Sequence, residues 1–307
     1  MMCKNKIDSL SKEELYSYYS ERIEYYGNLK NQLKYFKIKL LLHPLMLLIG
    51  KILSPKIVLL NKVPKIDTKS PVIFTSNHTN AHDFPVLVWT LKKHCFVLTD
   101  YTMINDFLVH LSTKLNGCVY VDRKSKKSST NSFVQCVEGI KDGNSMVIFS
   151  ESTWNLTKSF PMLPRYWGDI KLAKETGAPI IPVILEYVDK TCYVNIGNPF
   201  YVDGNDDLKE KDSQLYNIMS DMRRETRKSL NLDMIMDDKT YSDWLIANLN
   251  SYKNFDVEYE FSCIRNTNDP ILQNEISHII NVDKAIHDKD KIINKLKYAK
   301  INYRAMK

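Results

Sequence analysis

Between residues 71 and 197 the chain repeatedly switches from short, densely apolar runs to stretches whose apolar residues follow helical spacing. The runs PVIFTS (71–76), GCVYVDR (117–123), SMVIFSE (145–151), APIIPVIL (178–185) and TCYVNIG (191–197) are rich in Val, Ile and Tyr and bounded by turn residues, and they predict strands. Helical patterns fill the gaps at 84–93, 129–141 and 167–176. Strands alternating with helices predict an α/β sheet whose chemistry sits at strand ends and in the loops that follow.

The flanks read differently. Ser11 and Glu14 make a capping box, and Leu15, Tyr18, Tyr19, Ile23 and Tyr26 continue it at helical spacing, predicting a helix over 12–35. The next segment, 40–60, is apolar but studded with Lys51 and Lys56 and preceded by Lys37 and Lys39. That pattern suits a helix lying in a membrane interface with its lysines reaching headgroups, and it equally suits a buried core helix. Past Gly204, Leu208, Leu215, Met219, Met222 and Leu230 space one apolar helical face, and Pro270 opens another helix carrying Ile271, Ile276, Ile279, Ile280 and Ile286. The charge-rich end, 283–307, reads as a solvated helix. The expected organisation is a helical, basic and apolar region at 1–60, an α/β core at 61–203 and a helical extension at 204–307.

Length and composition permit this plan and limit the partners. The chain has 307 residues, 44% hydrophobic and 26% charged, enough for a full core and unlike either a disordered or a multi-span membrane chain. A net charge of +7 favours anionic partners: phosphate esters, anionic lipid headgroups, nucleic acid or an acidic carrier protein. No nucleic-acid-binding signature accompanies the charge, so nucleic acid is not expected. The six cysteines are widely separated, without the close pairing of zinc sites or redox motifs, and fit a reduced intracellular compartment. The first residues are charged and tyrosine-rich where a secretory signal needs an apolar core. His43, Pro44 and Lys51 interrupt LLLHPLMLLIGKIL (40–53), whereas a spanning helix wants about 20 apolar residues, so a transmembrane segment is not expected.

The densest candidate chemistry is SNHTNAHDF, residues 76–84, between a predicted strand and a predicted helix. Asp83 stands where an N-cap belongs, with Pro85 in the first turn. If the loop folds back so that Asp83 meets one ring nitrogen of His78, the other nitrogen becomes a stronger base able to deprotonate a hydroxyl. His78 and His82 also have the i, i+4 spacing of two metal ligands, but Thr79 stands where the zinc-protease motif has its glutamate, and no nearby third ligand completes a site. A structural loop with exposed histidines is the remaining alternative.

The H-x4-D spacing of His78 and Asp83 resembles the signature of the glycerolipid acyltransferase family, which includes lysophosphatidate acyltransferases. Three further blocks follow in the family's order: GCVYVDR, from Gly117 to Arg123; VIFSEST (147–153), which resembles F-P-E-G-T; and APIIPVIL. Four ordered blocks within 75–185 are far more specific than any one of them. The resemblance implies a mixed sheet flanked by helices, with His78 as the base, Asp83 orienting it, and Gly117, Arg123, Glu151, Ser152 and Thr153 in substrate binding, Arg123 at the acceptor's phosphate. It also implies an acyl-CoA or acyl carrier protein donor, a lysophospholipid acceptor, lysophosphatidate first, and no metal or other cofactor. The third block departs from the family: Ser150 replaces its proline, Ser152 its glycine, and Trp154 stands where arginine or serine is common. Serine for glycine strains any backbone needing φ > 0. Lys158 or Arg165 are candidates to restore phosphate contacts.

The expectation is therefore a membrane-associated O-acyltransferase at the cytoplasmic face, peripheral or monotopic, held to an anionic membrane surface. The competing readings are a family member with another hydroxyl acceptor, an inactive lipid- or anion-binding member, and a metal-dependent hydrolase. A serine hydrolase has no G-x-S-x-G elbow to support it.

Overall fold

The structure, a computed structural model, describes residues 36–61, 70–100, 116–123, 125–232, 237–251, 255–265 and 267–286. The helix expected over 12–35, and the charged C-terminal stretch beyond 286, lie outside these residues. Seven strands form one mixed sheet in the order β1 (Lys56–Leu59), β7 (Thr191–Ile196), β6 (Ile180–Val188), β2 (Ile73–Ser76), β5 (Ser145–Phe149), β3 (Cys95–Asp100) and β4 (Cys118–Val121). Every neighbouring pair is parallel except β6 with β7. The helices are α1 (Phe36–Leu53), α2 (Asp83–Leu91), α3 (Lys126–Lys141), α4 (Gly168–Thr176), α5 (Leu208–Ser229), α6 (Asp238–Ser251), α7 (Val257–Ser262) and α8 (Pro270–Ile286).

Central strands covered on both faces need apolar residues on both, and successive side chains then enter opposite cores. Ile73, Met146 and Ile180 join a core with Cys136, Ile140, Ile170, Leu172, Leu215 and Met219 on α3, α4 and α5. Their chain neighbours Phe74, Val147 and Ile181 enter the opposite core with Val86 and Leu87 of α2. A third core joins Trp154, Leu156 and Leu163 of the loop after β5 to Tyr241, Leu245, Phe261, Leu272 and Ile279 of α6, α7 and α8.

The segment expected as one element over 40–60 is two. Helix α1 ends at Leu53, and Ser54 and Pro55 precede edge strand β1, since the residue before a proline is pushed out of the helical region. On α1, Met46 and Gly50 are buried, and a Cβ at Gly50 would lie 3.1 Å from the Pro85 carbonyl oxygen of α2, so glycine permits the close approach. Leu45, Leu48 and Ile52, spaced i, i+3 and i+7, are exposed on the same helix. Strand β3 went unanticipated because no glycine or proline separates it from α2; Lys92, with φ 50°, makes the left-handed C-cap instead. No described helix is long and apolar enough to cross a membrane.

Because β2, β3, β4, β5 and β6 all run in the same direction, their C-terminal ends share one edge of the sheet. Open α/β sheets bind ligands along that edge. His78, Asp100, Arg123, Glu151 and Tyr187 all lie at or just after these ends.

Candidate active site

The loop from β2 to α2 turns Asp83 back onto its own chain. Asp83 is fully buried, and its Oδ2 accepts from His78 Nδ1 at 2.7 Å and from the backbone N–H groups of Thr79 at 2.6 Å and Asn80 at 2.9 Å. It is thus the first residue of α2 and closes the preceding loop instead of capping the helix; His82 holds the N-cap position without a side-chain cap bond. Its Oδ1 accepts from the Tyr187 hydroxyl at 2.6 Å, across 104 residues of sequence. Burial, and then the Asp83 charge, push the Tyr187 phenol well above its usual pKa, so it stays a donor. Because a carboxylate oxygen can only accept, Nδ1 is the donor of this pair, and the neutral imidazole with its proton on Nδ1 would present the Nε2 lone pair. Nε2 makes no hydrogen bond to the described residues, and the side chain keeps 23% exposure.

The loop after β5 fixes the rest of His78. Glu151, fully buried, accepts from the His78 N–H at 2.9 Å through Oε2, and from the Leu163 N–H at 2.6 Å and Asn155 Nδ2 at 3.2 Å through Oε1. The Asn155 N–H in turn donates to the His78 carbonyl at 2.5 Å. Burial raises the Glu151 carboxyl pKa, opposed by the Arg223 charge and by these N–H groups. Phe149 stacks on the imidazole with centroids 4.3 Å apart, and Trp154 meets it edge-on at 6.1 Å. Asn77 exchanges two hydrogen bonds with the Leu185 backbone, tying the histidine loop to β6.

The expected glycine-to-serine strain is present: Ser152 has φ 65°, a left-handed conformation that costs a non-glycine residue about 1–2 kcal/mol. Gly117, with φ 95°, turns the chain into β4. Thr153 is 2% exposed, and its hydroxyl has no partner among the described residues.

A cavity of about 1270 Å³ opens beside His78. Of the residues singled out from sequence, His78, His82, Arg123, Ser152, Thr153 and Trp154 line it; Asp83 and Glu151 are buried and bonded to His78, and Gly117, expected in substrate binding, stands instead at the N-terminal end of β4, away from the edge that carries the site. Most of the wall is apolar, with Val97, Leu98, Phe133, Ile148, Leu172 and Phe255 in it, and Ile49 and Leu53 bring α1 to its edge. Arg123 donates through Nε to Asp100 at 3.1 Å, through Nη1 to the Ser152 carbonyl at 2.5 Å, and through Nη2 to Glu260 of α7 at 3.1 Å. Burial works against its charge, but Glu260 and Asp100 outweigh that and hold its pKa well above the usual value. Lys158 pairs with Asp238 and Arg165 is buried against Asp169; neither lines the cavity. The His78 and His82 side chains do not form a metal cluster: no group of three or more His, Cys, Asp or Glu suited to a metal occurs among the described residues.

Sequence reasoning did not find Tyr187, Asn77, Glu260 or Arg265. The first lies two residues beyond the expected end of its strand. The last two come from residues 257–265, where the sequence pattern singled out neither an element nor a motif.

Residues 56–186 match the family model described as Acyltransferase. Over 172 residues the chain is 27% identical to the 1-acyl-sn-glycerol-3-phosphate acyltransferase of Borreliella burgdorferi, covering 54% of this chain and 68% of that one. It is 29% identical over 123 residues to the probable 1-acyl-sn-glycerol-3-phosphate acyltransferase of Mycoplasma genitalium, covering 39% of this chain and 45% of that one. The chain matches 39% of the length of the Saccharomyces cerevisiae enzyme of the same name, at 25% identity and over 38% of its own length. The solved 1-acyl-sn-glycerophosphate (LPA) acyltransferase of Thermotoga maritima aligns with 71% of this chain and 97% of its own, at 14% identity and a TM-score of 0.49.

Proposed function

We propose, from the premise that residues 56–186 are an acyltransferase domain of the glycerolipid acyltransferase family, that the protein esterifies the free hydroxyl of a lysophospholipid, with lysophosphatidate as its acceptor. The relatives' names supply the acceptor. The observation that carries the reading is the His78–Asp83 pair, whose Nδ1 is held at 2.7 Å while Nε2 faces a large apolar cavity.

In this reading Nε2 accepts the proton of the acceptor hydroxyl as its oxygen attacks the thioester carbonyl. The C–O bond forms, the C–S bond breaks, and the thiolate leaving group takes the proton back from the imidazolium. Asp83 stabilises the imidazolium and fixes the tautomer without itself taking the proton. The donor is an acyl thioester of coenzyme A or acyl carrier protein, both anionic and suited to a chain of net charge +7. The mostly apolar cavity is larger than the usual ~300–1,000 Å³ ligand site, as a long acyl chain requires.

Membrane association belongs to the same proposal. The exposed stripe Leu45, Leu48 and Ile52 on α1 lies beside Lys51, and the same helix reaches the cavity through Ile49 and Leu53. A lipid acceptor would pass from a cytoplasmic membrane surface into the site along this helix, with the protein peripheral or monotopic. The test is mass spectrometry after incubation with oleoyl-CoA or oleoyl carrier protein and a panel of lysolipids and uncharged alcohols. Phosphatidate should form, and His78→Ala should slow it by about 10²–10⁴-fold. Absence of any ester, or full activity in His78→Ala, would overturn the reading; esterification of another acceptor alone would overturn the choice of lysophosphatidate.

A further inference from the structure

We infer that Arg223 of α5 is a positioning residue for the transfer, keeping Glu151 ionised behind the catalytic loop so that Glu151 holds the backbone of His78; this rests on His78 acting as the base proposed above. Arg223 stands on an apolar helix face. Leu215, Met219 and Arg223 follow one another at i, i+4 and i+8 on the buried side of α5, and Arg223 is 5% exposed. A charge in such a position is costly unless it is paired. Its Nε donates to Glu186 Oε2 at 2.9 Å and its Nη1 to the Pro161 carbonyl at 2.8 Å. Burial works against its charge, but Glu186 and then Glu151 outweigh that, with a further contribution from Asp83, and raise its pKa. One buried guanidinium thus serves three carboxylates, and two of them, Glu151 and Asp83, hold His78.

Glu151 needs that charge. Its two oxygens accept from the N–H groups of His78 and Leu163 and from the Asn155 amide, and a protonated carboxyl would turn a donor toward these donors and give up one of them. Burial favours the protonated form, and the Arg223 charge is the largest influence against it, ahead of the N–H groups and of His78. The other ionisable groups around Glu151 do not replace it. His78 and Asp83 come from the loop between β2 and α2, Glu186 and Tyr187 from β6, and Tyr216 from α5. In the loop after β5, Lys158 pairs with Asp238 and Arg165 with Asp169, while Glu275 of α8 accepts from the Lys158 N–H. Both bonds of Arg223 close on the same site: Pro161 lies two residues before Leu163, the donor to Glu151, and Glu186 precedes Tyr187, the donor to Asp83. Helix α5 lies outside residues 56–186, so the catalytic loop of the acyltransferase domain depends on a charge supplied by the C-terminal extension.

The test uses the full-length chain in two measurements. Carbon NMR of protein labelled at its glutamate carboxyls follows the Glu151 signal, assigned by its loss in Glu151→Gln, across pH. Kinetics with oleoyl-CoA and 1-oleoyl-glycerol 3-phosphate cover the same range, each variant taken as a ratio to wild type so that the acceptor's own ionisation cancels. In Arg223→Met the Glu151 midpoint should move to higher pH by about one unit, the effect of losing a nearby opposite charge. Because the carboxylate is the form that holds the loop, kcat should fall as pH drops, by about tenfold relative to wild type below the midpoint, and recover as pH rises, with acceptor KM nearly unchanged. Arg223→Lys, which keeps the charge, should restore both the midpoint and the acid side of the profile. Glu186→Gln removes the competing carboxylate and should move the Glu151 midpoint to lower pH; it decides the matter if Arg223→Met does not fold. An unmoved midpoint in Arg223→Met, an unmoved or raised one in Glu186→Gln, or a loss of kcat equal at every pH would overturn the inference, since a merely structural residue gives that pattern. If the wild-type protein forms no ester yet the midpoints move as expected, the transfer reading fails and the charge pairing stands. If ester forms and the midpoints stay, the inference about Arg223 alone fails.

Discussion

Asp83 takes four donors, and only three come from its own loop; the fourth, the Tyr187 hydroxyl, arrives from the end of β6. This separates what sequence could and could not reveal at this scale. His78 and Asp83 are legible as a pair because both sit in one loop, where a five-residue separation and a strand–helix junction already imply contact. Tyr187 is not, because no local rule joins residues 104 positions apart; only β6 lying parallel beside β2 brings them together. Ser152 shows the reverse: the strain expected when serine replaces glycine is found at φ 65°. Tyr187→Phe removes one donor from a buried charged acceptor, a change that costs about 1–3 kcal/mol of stability. We expect kcat to fall several-fold with acceptor KM nearly unchanged, since the phenol touches Asp83 and does not line the cavity. A purely structural role would lower the melting temperature and leave kcat of the folded fraction intact, so kinetics on protein shown folded by circular dichroism decides the matter.

At the scale of elements, the strongly periodic or β-branched segments were readable and the edges were not. The central strands announce themselves because both faces are buried. Strands β1 and β3 were hidden, one inside an apolar run with α1, the other behind a left-handed lysine cap. Of the C-terminal helices, α5 and α8 were legible as amphipathic and α6 and α7 were not, and spacing alone cannot say what an apolar face covers. They cover the loop after β5: Phe255 stacks on Trp154 with centroids 4.4 Å apart, and Trp154 in turn meets His78 edge-on. The wall of the candidate site is therefore built from both sides. Phe255→Ala opens a void in the third core, and such truncations cost about 3–5 kcal/mol. Thermal denaturation should show a large loss, and the folded fraction should also lose kcat/KM because Trp154 is no longer held; a destabilised protein with unchanged kcat/KM would show that the helices only support the fold.

At the scale of the whole molecule, the membrane association proposed above would rest on two separable terms. Its net charge of +7 acts at a distance and falls with salt, with a Debye length of ~8 Å at physiological ionic strength. The stripe of Leu45, Leu48 and Ile52 acts only on contact, and burying a Leu or Ile side chain stabilises binding by about 1.5–3 kcal/mol. The two terms predict different behaviour. Replacing Leu48 and Ile52 together with glutamate should leave the melting temperature nearly unchanged, because both residues already face water, at 52% and 71% exposure. Co-sedimentation with phosphatidylglycerol vesicles should fall by a factor of about 100 or more, from the lost burial and the added negative charge. Raising salt should weaken wild-type binding without abolishing it, whereas a surface held by charge alone would release completely. Turnover of a short-chain, water-soluble acceptor should survive in the double variant while turnover of vesicle-embedded acceptor is lost. Unchanged sedimentation would remove α1 from the route into the cavity and return the helix to a role in packing against α2.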